Sequence, residues 1–393
     1  MIKKHIIIPT LLILFILLIL LVVHSCNSKQ SAKLAEQQAA EQQKAEPTPE
    51  EMLGQMLMLG FRGDGTKPDD DLEYIKGLIA AGKVGGVIYF ETEPGRKGIP
   101  RNISSPAQLK ALSAALQSAA KIPLFIATDQ EGGWVQRLKP KYGFKDWPTA
   151  YAMGFMSDAE VAKTGFEMGA ELYEAGINLN MAPSVDVNVN PDSPAIGAVG
   201  RSFSGDPELV AQKGLAFMQG LNKGGVIGCY KHFPGHGSAL ADTHLGAADI
   251  TASWKDYELI PYIRLLAEPG AYAVMVAHVF HTELSQGLPA TLSPKVITWL
   301  LRQKLGWQGV VFSDDMQMEA IASHYTLEES LLMGIDAGMD IFVYGNNLHY
   351  DKTIGEKAYT ALLELYKTGK ISPERIKESY QRIMLLKARL VAM

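Results

Sequence analysis

The chain has 393 residues, of which 47% are hydrophobic and 20% are charged, so it is long enough to bury a large core as one domain or two. Its net charge at pH 7 is −5, and no stripe of Lys and Arg stands out. Binding to nucleic acid requires clustered positive charge, so we expect no nucleic-acid partner.

Residues 1–26 have the pattern of an export segment. Lys3 and Lys4 precede an apolar run over residues 6–23, and Cys26 follows shortly after that run. Positive charge before such a run keeps that end in the cytoplasm, so the remainder of the chain is expected outside it. The Val-His-Ser-Cys sequence at residues 23–26 resembles the lipobox of bacterial lipoproteins, which predicts acylation of Cys26. The same run is also long enough to remain as an uncleaved membrane anchor.

The composition divides the rest of the chain into two parts. Residues 27–50 are rich in Ala, Gln, Glu and Lys and have almost no large apolar side chain, which predicts a flexible, disordered tether. Residues 51–393 contain no second linker and are predicted to form one catalytic domain. Cys229 lies inside an apolar run of this domain and is interpreted as a buried structural thiol.

Short apolar runs alternate with segments of helical periodicity throughout residues 51–393. Eight runs are candidate strands: Met56–Leu59, Val84–Phe90, Leu124–Thr128, Ile177–Met181, Val226–Tyr230, Ala273–Ala277, Val310–Ser313 and Asp340–Tyr344. Alternation of apolar strands with helices indicates an α/β protein with a parallel sheet, and eight strands close a single (β/α)8 TIM-type barrel. An open doubly wound sheet is the alternative, although no Gly-rich nucleotide-binding motif follows a strand.

Ser-Pro pairs and glycines mark the expected helix ends. A serine N-cap before a first-turn proline is predicted at Ser105-Pro106, Ser293-Pro294 and Ser372-Pro373. Helices are expected to stop at Gly224, Gly306 and Gly369.

Polar side chains stand at the carboxyl ends of four predicted strands, where barrel enzymes place their catalytic groups. These side chains are Asp129, Lys231 with His232, His278 and Asp314. Taken singly, Asp314 also fits the role of a helix cap, which is a frequent role of aspartate. The positions together favour an enzyme whose active site is built from several strand ends.

The loop after the fifth predicted strand reads Lys-His-Phe-Pro-Gly-His-Gly over residues 231–237 and is followed by Asp242-Thr243-His244. An imidazole titrates near neutral pH, and Asp242 is placed to orient the ring of His244. A lone Asp-x-His pair is more often a solvent-exposed loop histidine. His232 and His236 have the spacing of a zinc pair, but Pro234 and the glycines break the helix such a pair needs, so we expect no metal.

Together these motifs resemble glycoside hydrolase family 3, in its bacterial β-N-acetylhexosaminidase branch, from about Glu51 to the C-terminus. The matching motifs are K-H-F-P-G-H-G with D-x-H, D-Q-E-G-G-x-V-Q-R from Asp129 to Arg137, and G-V-V-F-S-D-D ending at Asp315. One departure is Trp134, which stands where the family commonly has an arginine.

The resemblance implies a retaining exo-acting hydrolase that removes terminal β-linked N-acetylglucosamine from peptidoglycan fragments or chito-oligosaccharides. It implies Asp314 as the nucleophile and His244 as the acid/base with Asp242 as its partner. The implied sugar-binding residues are Asp129, Arg137, Arg201, Lys231 and His232. The resemblance implies no cofactor. The expected partners are a small oligosaccharide or muropeptide substrate and the membrane, through a lipid on Cys26 or an anchor, and we expect a monomer located outside the cytoplasm.

Two alternatives remain open at this point. A neutral histidine repels incoming phosphate less than a carboxylate does, which leaves a β-N-acetylglucosaminide phosphorylase possible. A non-catalytic saccharide-binding lipoprotein fits the composition and the export segment equally well. The joint presence of Asp314, Asp242 and His244 argues against the binding protein, because binding alone needs neither a nucleophile nor a proton donor.

Overall fold

The computed structural model of the protein describes residues 46–92, 101–241, 246, 248–347 and 349–392. Three predicted features therefore lie outside the described residues: the export segment with Cys26, most of the tether, and the pair Asp242 and His244. Among the residues that are described, no helix is both long and apolar enough to cross a membrane. The residues from Pro49 onward form one compact unit.

Eight parallel strands close into a barrel, which confirms the predicted (β/α)8 fold. The strands are β1 (Leu57–Gly60), β2 (Gly86–Tyr89), β3 (Phe125–Thr128), β4 (Leu179–Asn180), β5 (Ile227–Phe233), β6 (Tyr272–Val276), β7 (Val311–Asp315) and β8 (Ile341–Tyr344). Each strand pairs with its neighbours in the sequence, and β1 pairs with β8 to close the ring. A short antiparallel hairpin of Gln130–Gly132 and Val135–Gln136 follows β3.

All eight predicted strands occur, with ends that differ by up to three residues. The largest extension is in β5, which continues through Lys231 and His232 to Phe233, so these two residues lie within the strand rather than after it. The prediction placed the strand end at Tyr230 because charged side chains rarely occur inside a buried strand. Buried partners explain the difference, since Lys231 and His232 face carboxylates described below.

Helices cover the outside of the barrel. The α-helices are α1 (Pro49–Gln55), α2 (Asp70–Ala80), α3 (Pro106–Ala119), α4 (Ala150–Gly154), α5 (Asp158–Glu174), α6 (Pro207–Lys223), α7 (Ile260–Leu265), α8 (Glu319–Ala322), α9 (Leu327–Ala337), α10 (Ile354–Lys367) and α11 (Pro373–Ala392). A π-helix occupies Lys295–Lys304, and short 3-10 turns occupy Pro140–Tyr142, Asp256–Leu259 and Ala290–Leu292.

The predicted helix signals act as N-caps. Ser105 accepts a hydrogen bond from the backbone N–H of Gln108, whose side chain bonds back to the cap, so α3 begins with a capping box. Ser372 accepts the N–H of Arg375 at the start of α11. Ser293 also accepts a backbone N–H, from Val296 at 3.4 Å, but the helix that follows has π geometry instead of the expected α geometry.

Aromatic and aliphatic side chains fill the barrel interior. Phe125 of β3 and Phe312 of β7 belong to strands that are not neighbours, yet their ring centroids lie 6.3 Å apart with planes at 62°. Both side chains are fully buried. This edge-to-face contact across the barrel is the packing of a solid core, so the barrel has no open pore at this level.

A buried lysine lies at the amino-terminal ends of the strands, opposite the predicted active site. Lys387 of α11 donates hydrogen bonds to the Gln55 side-chain oxygen at 2.6 Å and to the Gly85 carbonyl at 2.8 Å, and its ammonium group lies 4.8 Å from the centre of the Phe125 ring. Both acceptors are neutral. Burial lowers the pKa of Lys387 to about 7.

Lys387 predicts a measurable pH dependence of stability. Its folded-state pKa lies below the unfolded value, so the unfolded chain binds the proton more tightly and stability rises with pH between the two values. Relative to Lys387→Met, the wild-type free energy of unfolding is expected to rise by on the order of 1–2 kcal/mol between pH 7 and pH 8.5 in urea titrations. The exposed Lys163→Met serves as the control and carries no such dependence. A constant difference between wild type and Lys387→Met would mean that the amine stays charged.

Candidate active site

A cavity of about 310 Å³ opens at the carboxyl ends of the barrel strands. Its lining includes the predicted nucleophile Asp314 and the predicted sugar-binding residues Asp129, Arg137, Arg201, Lys231 and His232, whereas His278, the remaining strand-end candidate, does not line it. Asp129 directly follows β3, Arg137 directly follows the hairpin, Arg201 comes from the loop before α6, and the others come from β5 and β7. The predicted convergence of strand ends on one site is therefore present in the fold.

Lys231 forms the centre of one wall of this cavity. Its Nζ lies 2.8 Å from Asp129 Oδ1 and 2.7 Å from Glu131 Oε1, and the lysine side chain is only 2% exposed. A buried ammonium group requires such partners, because an unpaired charge would remain uncompensated in a medium of low dielectric. The side chain of Lys231 is therefore fixed between two carboxylates.

Two arginines complete the ion-pair network of this wall. Arg201 donates from Nε to Glu131 Oε2 at 2.9 Å and from Nη2 to Oε1 at 2.7 Å, which is a bidentate pair. Arg137 Nη2 lies 3.2 Å from Asp129 Oδ2. Each carboxylate therefore contacts Lys231 and one guanidinium group, and the geometry of all five side chains is mutually constrained.

The network keeps both carboxylates ionised. Burial by itself raises the pKa of Asp129, but the charges of Lys231 and Arg137 outweigh it and hold the pKa at about 2. Burial likewise opposes ionisation of Glu131, whose pKa is held at about 2 by Arg201 and Lys231. The wall thus presents fixed charges and fixed hydrogen-bonding directions, which suits the recognition of sugar hydroxyl groups.

His232 joins the network through a second carboxylate. Its Nδ1 lies 2.7 Å from Asp186 Oδ2, and its Nε2 lies 3.2 Å from Arg201 Nη2. Because the guanidinium group can only donate, Nε2 must accept, and the ring proton is on Nδ1 facing the carboxylate. Asp186 is fully buried, and although burial raises its pKa, the contact with His232 holds that pKa below its usual range.

His236 is held by its backbone close to His232. Its N–H donates to Asp186 Oδ1 at 2.8 Å, and the two imidazole ring centroids are 5.8 Å apart. Burial, followed by the neighbouring His232, lowers the pKa of His236 to about 4, so this ring is neutral at physiological pH. Within the described parts of the chain no group of three His, Cys, Asp or Glu side chains is arranged to hold a metal ion.

The glycines of this loop are required by close packing. A Cβ on Gly237 would lie 1.7 Å from the carbonyl oxygen of Val187, so any side chain there would displace the backbone that carries Asp186. The motif therefore places a neutral histidine, a buried carboxylate and two backbone segments in contact. This close packing fixes the beginning of the segment that leads to Asp242 and His244.

Asp314 enters the cavity from the end of β7. Its Oδ1 accepts the N–H of Asp315 at 2.8 Å. Asp315 has a different role: its Oδ1 accepts the backbone N–H groups of Gln317 and Gly345, each at 3.0 Å, and so ties the end of β7 to the end of β8. These contacts give Asp315 a structural role at the junction of the two strands.

His278, at the end of β6, supports the same turn from behind. Its Nε2 lies 3.0 Å from the carbonyl oxygen of Asp315, and its Nδ1 lies 2.9 Å from Thr291 Oγ1. A ring nitrogen facing a carbonyl must donate, so the proton is on Nε2 and Thr291 donates to Nδ1. His278 is thus bonded to the backbone of the residue that follows Asp314.

The sequence motifs did not identify two residues that contact the cavity wall, namely Glu131, which pairs with Lys231, and Asp186, which pairs with His232. Glu131 follows Asp129 at the i, i+2 spacing that places two side chains on the same side of an extended segment. Asp186 is a polar position in the alternating run Ser184-Val185-Asp186-Val187-Asn188-Val189, a pattern that by itself predicts an exposed carboxylate. Only the spacing of Glu131 was therefore a signal for the site, and it needed knowledge of the partner to be interpreted.

A strand-end cavity with fixed carboxylates and cations in a (β/α)8 barrel defines an enzyme that acts on a polar ligand. Residues 48–386 match the family model described as the glycosyl hydrolase family 3 N terminal domain. The chain therefore belongs to glycoside hydrolase family 3.

Individual relatives agree with this assignment. The chain is 33% identical over 384 residues to beta-hexosaminidase A of Pseudoalteromonas piscicida, a match that covers 87% of this chain and 61% of that protein. It matches the structure of a family 3 beta-N-acetylglucosaminidase from a Paenibacillus strain with a TM-score of 0.78 and 38% identity, covering 88% of this chain and 63% of the other. The crystal structure of a beta-N-acetylhexosaminidase from Beutenbergia cavernae matches with a TM-score of 0.77 and 28% identity, over 88% of this chain and 100% of that one. The chain thus spans about three fifths of the first two relatives and the full length of the third.

Proposed function

We propose that the protein is a retaining exo-β-N-acetylhexosaminidase that removes terminal β-linked N-acetylglucosamine from peptidoglycan fragments or chito-oligosaccharides. The observation that carries this proposal is the position of Asp314, which a barrel strand delivers into the same cavity as the ion-paired wall of Asp129, Lys231 and Arg201. The printed names of the relatives, beta-hexosaminidase and beta-N-acetylglucosaminidase, support the same class of substrate.

The proposed mechanism has two displacements at the anomeric carbon. The Asp314 carboxylate attacks this carbon, the bond to the leaving oxygen breaks, and the His244 ring gives that oxygen a proton. A water molecule then attacks the same carbon while His244 takes up its proton, and the ester bond to Asp314 breaks to restore the carboxylate. Asp242 orients the imidazole and stabilises its charged form. The wall formed by Asp129, Arg137, Arg201, Lys231 and His232 binds the terminal sugar.

Hydrolysis is proposed over phosphorolysis because of the charges around the cavity. The three cations of the wall, Lys231, Arg137 and Arg201, are already paired with the carboxylates of Asp129 and Glu131. These carboxylates offset most of the positive charge that would attract a phosphate dianion.

A panel of chromogenic glycosides, assayed with and without phosphate, tests the proposal. We expect cleavage of an aryl N-acetyl-β-glucosaminide at a rate that phosphate does not change, with release of the free sugar. Sugar-1-phosphate as the product would instead identify a phosphorylase. Binding of N-acetylglucosamine oligosaccharides without cleavage would identify a saccharide-binding protein.

The role of His244 predicts a dependence on the leaving group. In His244→Ala the loss of kcat/KM is expected to be roughly 10²–10⁴-fold for alkyl or sugar leaving groups, because these need protonation as they depart. For leaving groups of low pKa, such as 2,4-dinitrophenol, the loss should be much smaller. Equal losses across a series of leaving groups would contradict the acid role of His244.

We further propose that the protein acts as a monomer outside the cytoplasm, held to a membrane through Cys26 or through an uncleaved apolar segment. The order of Lys3-Lys4, the apolar run and Cys26 motivates this placement. Cell fractionation combined with mass spectrometry of the N-terminal peptide distinguishes a lipidated Cys26 from an intact segment. Recovery of the protein in the cytoplasmic fraction would refute the proposal.

A further inference from the structure

Three strongly exposed aromatic side chains lie on two adjoining segments, and one of them, Trp134, lines the cavity. Trp134 is 75% exposed, Tyr151 is 51% exposed and Phe155 is 78% exposed. Large aromatic side chains are usually buried, so a group of them on the surface marks a place where something binds. We call these three residues the aromatic rim.

The segments that carry Trp134 and Tyr151 are packed directly against each other. Gly133 has φ +59°, and a Cβ on it would lie 2.2 Å from Thr149 Cγ2, while a Cβ on Gly132 would lie 2.1 Å from the Pro148 carbonyl oxygen. The hairpin turn that ends in Trp134 therefore packs closely against Pro148 and Thr149, the two residues immediately before α4. This contact holds the turn in place and makes the two segments one surface.

The rim is continuous with the cavity. Trp134 is itself one of the residues that line the cavity, as are Val199 and Arg201. The N–H of Tyr151 donates to the carbonyl oxygen of Gly200, at 3.1 Å, so α4 begins beside the residue that separates Val199 from Arg201. The Tyr151 and Phe155 rings are in edge-to-face contact, with centroids 5.2 Å apart, and extend this surface away from the cavity.

We propose that the aromatic rim binds the saccharide units that follow the terminal sugar in a β-linked N-acetylhexosamine oligosaccharide. This inference rests on the proposed function and adds a specificity for longer substrates. A cavity of about 310 Å³ is at the small end of ligand sites and accommodates little more than the terminal sugar, so the rest of an oligosaccharide extends beyond the lining residues, of which Trp134 is one. Equatorially substituted sugar rings present two C–H faces that pack on aromatic rings, and the indole N–H and phenol O–H suit their hydroxyl groups.

Continuity with the cavity also decides between a glycan and other occupants. A membrane or a second protein that covered Trp134 would cover the entrance to Asp129, Arg137 and Arg201 as well. It would block the substrate and place buried ion pairs under an apolar surface. The continuing substrate is the occupant that uses the rim and leaves the cavity accessible to the terminal sugar.

The test uses the full chain of the protein and compares two substrates, methyl N-acetyl-β-glucosaminide and chitotriose. The methyl glycoside has no saccharide beyond the terminal sugar, whereas chitotriose has two. In Trp134→Ala the ratio of kcat/KM for chitotriose to kcat/KM for the methyl glycoside is expected to fall roughly tenfold, mainly through KM. Trp134→Phe should recover most of this ratio, because a phenyl ring keeps the stacking face.

A matched control is Trp299→Ala, which removes an exposed tryptophan of the outer π-helix that does not line the cavity. This variant should keep the wild-type ratio. Calorimetric binding of chitotriose to Asp314→Asn, with and without Trp134→Ala, provides a second measurement that needs no turnover. If the wild type cleaves neither substrate, the proposed function fails. The rim proposal is still supported in that case if the double variant binds chitotriose with a roughly tenfold weaker Kd than Asp314→Asn alone.

Four results would overturn the rim proposal. The first is an equal loss of kcat/KM on both substrates in Trp134→Ala, and the second is an unchanged Kd for chitotriose in the double variant. The third is that Trp134→Ala loses binding to vesicles of phosphatidylethanolamine and phosphatidylglycerol, which would identify a membrane contact. The fourth is a change from dimer to monomer in light scattering, which would identify a contact between two copies of the chain.

Discussion

Asp314→Asn is expected to lower kcat for an aryl N-acetyl-β-glucosaminide by at least about 10³-fold, since an amide cannot form the covalent glycosyl ester. The substitution keeps the volume of the side chain and the oxygen that accepts the N–H of Asp315, so the fold should be unchanged. Circular dichroism and thermal unfolding check the fold, and single-turnover kinetics check the chemical step.

The neighbouring Asp315→Asn provides the matched control for this prediction. Asp315 lines the same cavity, but its Oδ1 accepts the N–H groups of Gln317 and Gly345, and an asparagine oxygen can accept the same two bonds. Its kcat is expected to fall by less than roughly tenfold. Equal losses for the two variants would contradict the nucleophile assignment.

A second outcome separates a nucleophile from a residue that only binds substrate. In Asp314→Ala the space of the carboxylate is open, and added azide should attack the anomeric carbon from that side. With an activated β-glycoside, the expected product is the α-glycosyl azide and the rate recovers with azide concentration. Failure of azide to restore turnover, together with normal substrate binding, would argue that another group attacks the sugar.

The barrel could be predicted because each strand is a local signal. Runs such as residues 124–127 are apolar throughout, as a strand buried on both faces requires, and the serine caps and glycine stops separate them from the helices. Pairing order then follows from the alternation of strand and helix. The last residue of a strand could not be predicted in the same way, as the extension of β5 through Lys231 shows. Whether a charged side chain can be buried depends on partners that are distant in the sequence.

The candidate site was predictable in position but not in its contacts. Strand-end placement identified Asp129, Lys231 and Asp314, since carboxyl ends of barrel strands meet at one face. The buried carboxylates Glu131 and Asp186 were missed because their significance lies in the cations and imidazole they face, which come from 46 to 100 residues away in the chain. The exposure of Trp134 also depends on the fold. From the sequence alone, a tryptophan at this position fits packing in the protein interior at least as well as stacking on a sugar ring.

Lys231→Met is expected to lower the free energy of unfolding at pH 7 by about 3–5 kcal/mol, because it leaves two buried carboxylates without their shared cation. Asp129 and Glu131 lie within 2.8 and 2.7 Å of the ammonium group, and the lysine side chain is 2% exposed. Because methionine fills a similar volume, the loss of unfolding free energy reflects the missing charge more than a change in packing. Urea titration of the full chain measures it.

Lys213→Met is the matched control, because this buried lysine pairs with Asp158, whose side chain is 46% exposed and can be hydrated when the lysine is lost. Its cost is expected to be on the order of 1 kcal/mol. A comparable loss for both variants would mean that the lysine side chain itself, and not the buried carboxylates, determines the stability at position 231.

The deficit of Lys231→Met should also depend on pH. In the wild type the pKa values of Asp129 and Glu131 are about 2, so their contribution to stability is present above the unfolded values near 4 and is lost as pH falls towards 2. Without Lys231 each carboxylate keeps only its guanidinium partner, Arg137 for Asp129 and Arg201 for Glu131, so burial moves both pKa values up from their wild-type positions and the variant loses less stability than the wild type as the pH falls. The difference in unfolding free energy between wild type and variant should therefore narrow between pH 7 and pH 4. A difference that stays constant over this range would show that the network around Lys231 is held by packing rather than by charge.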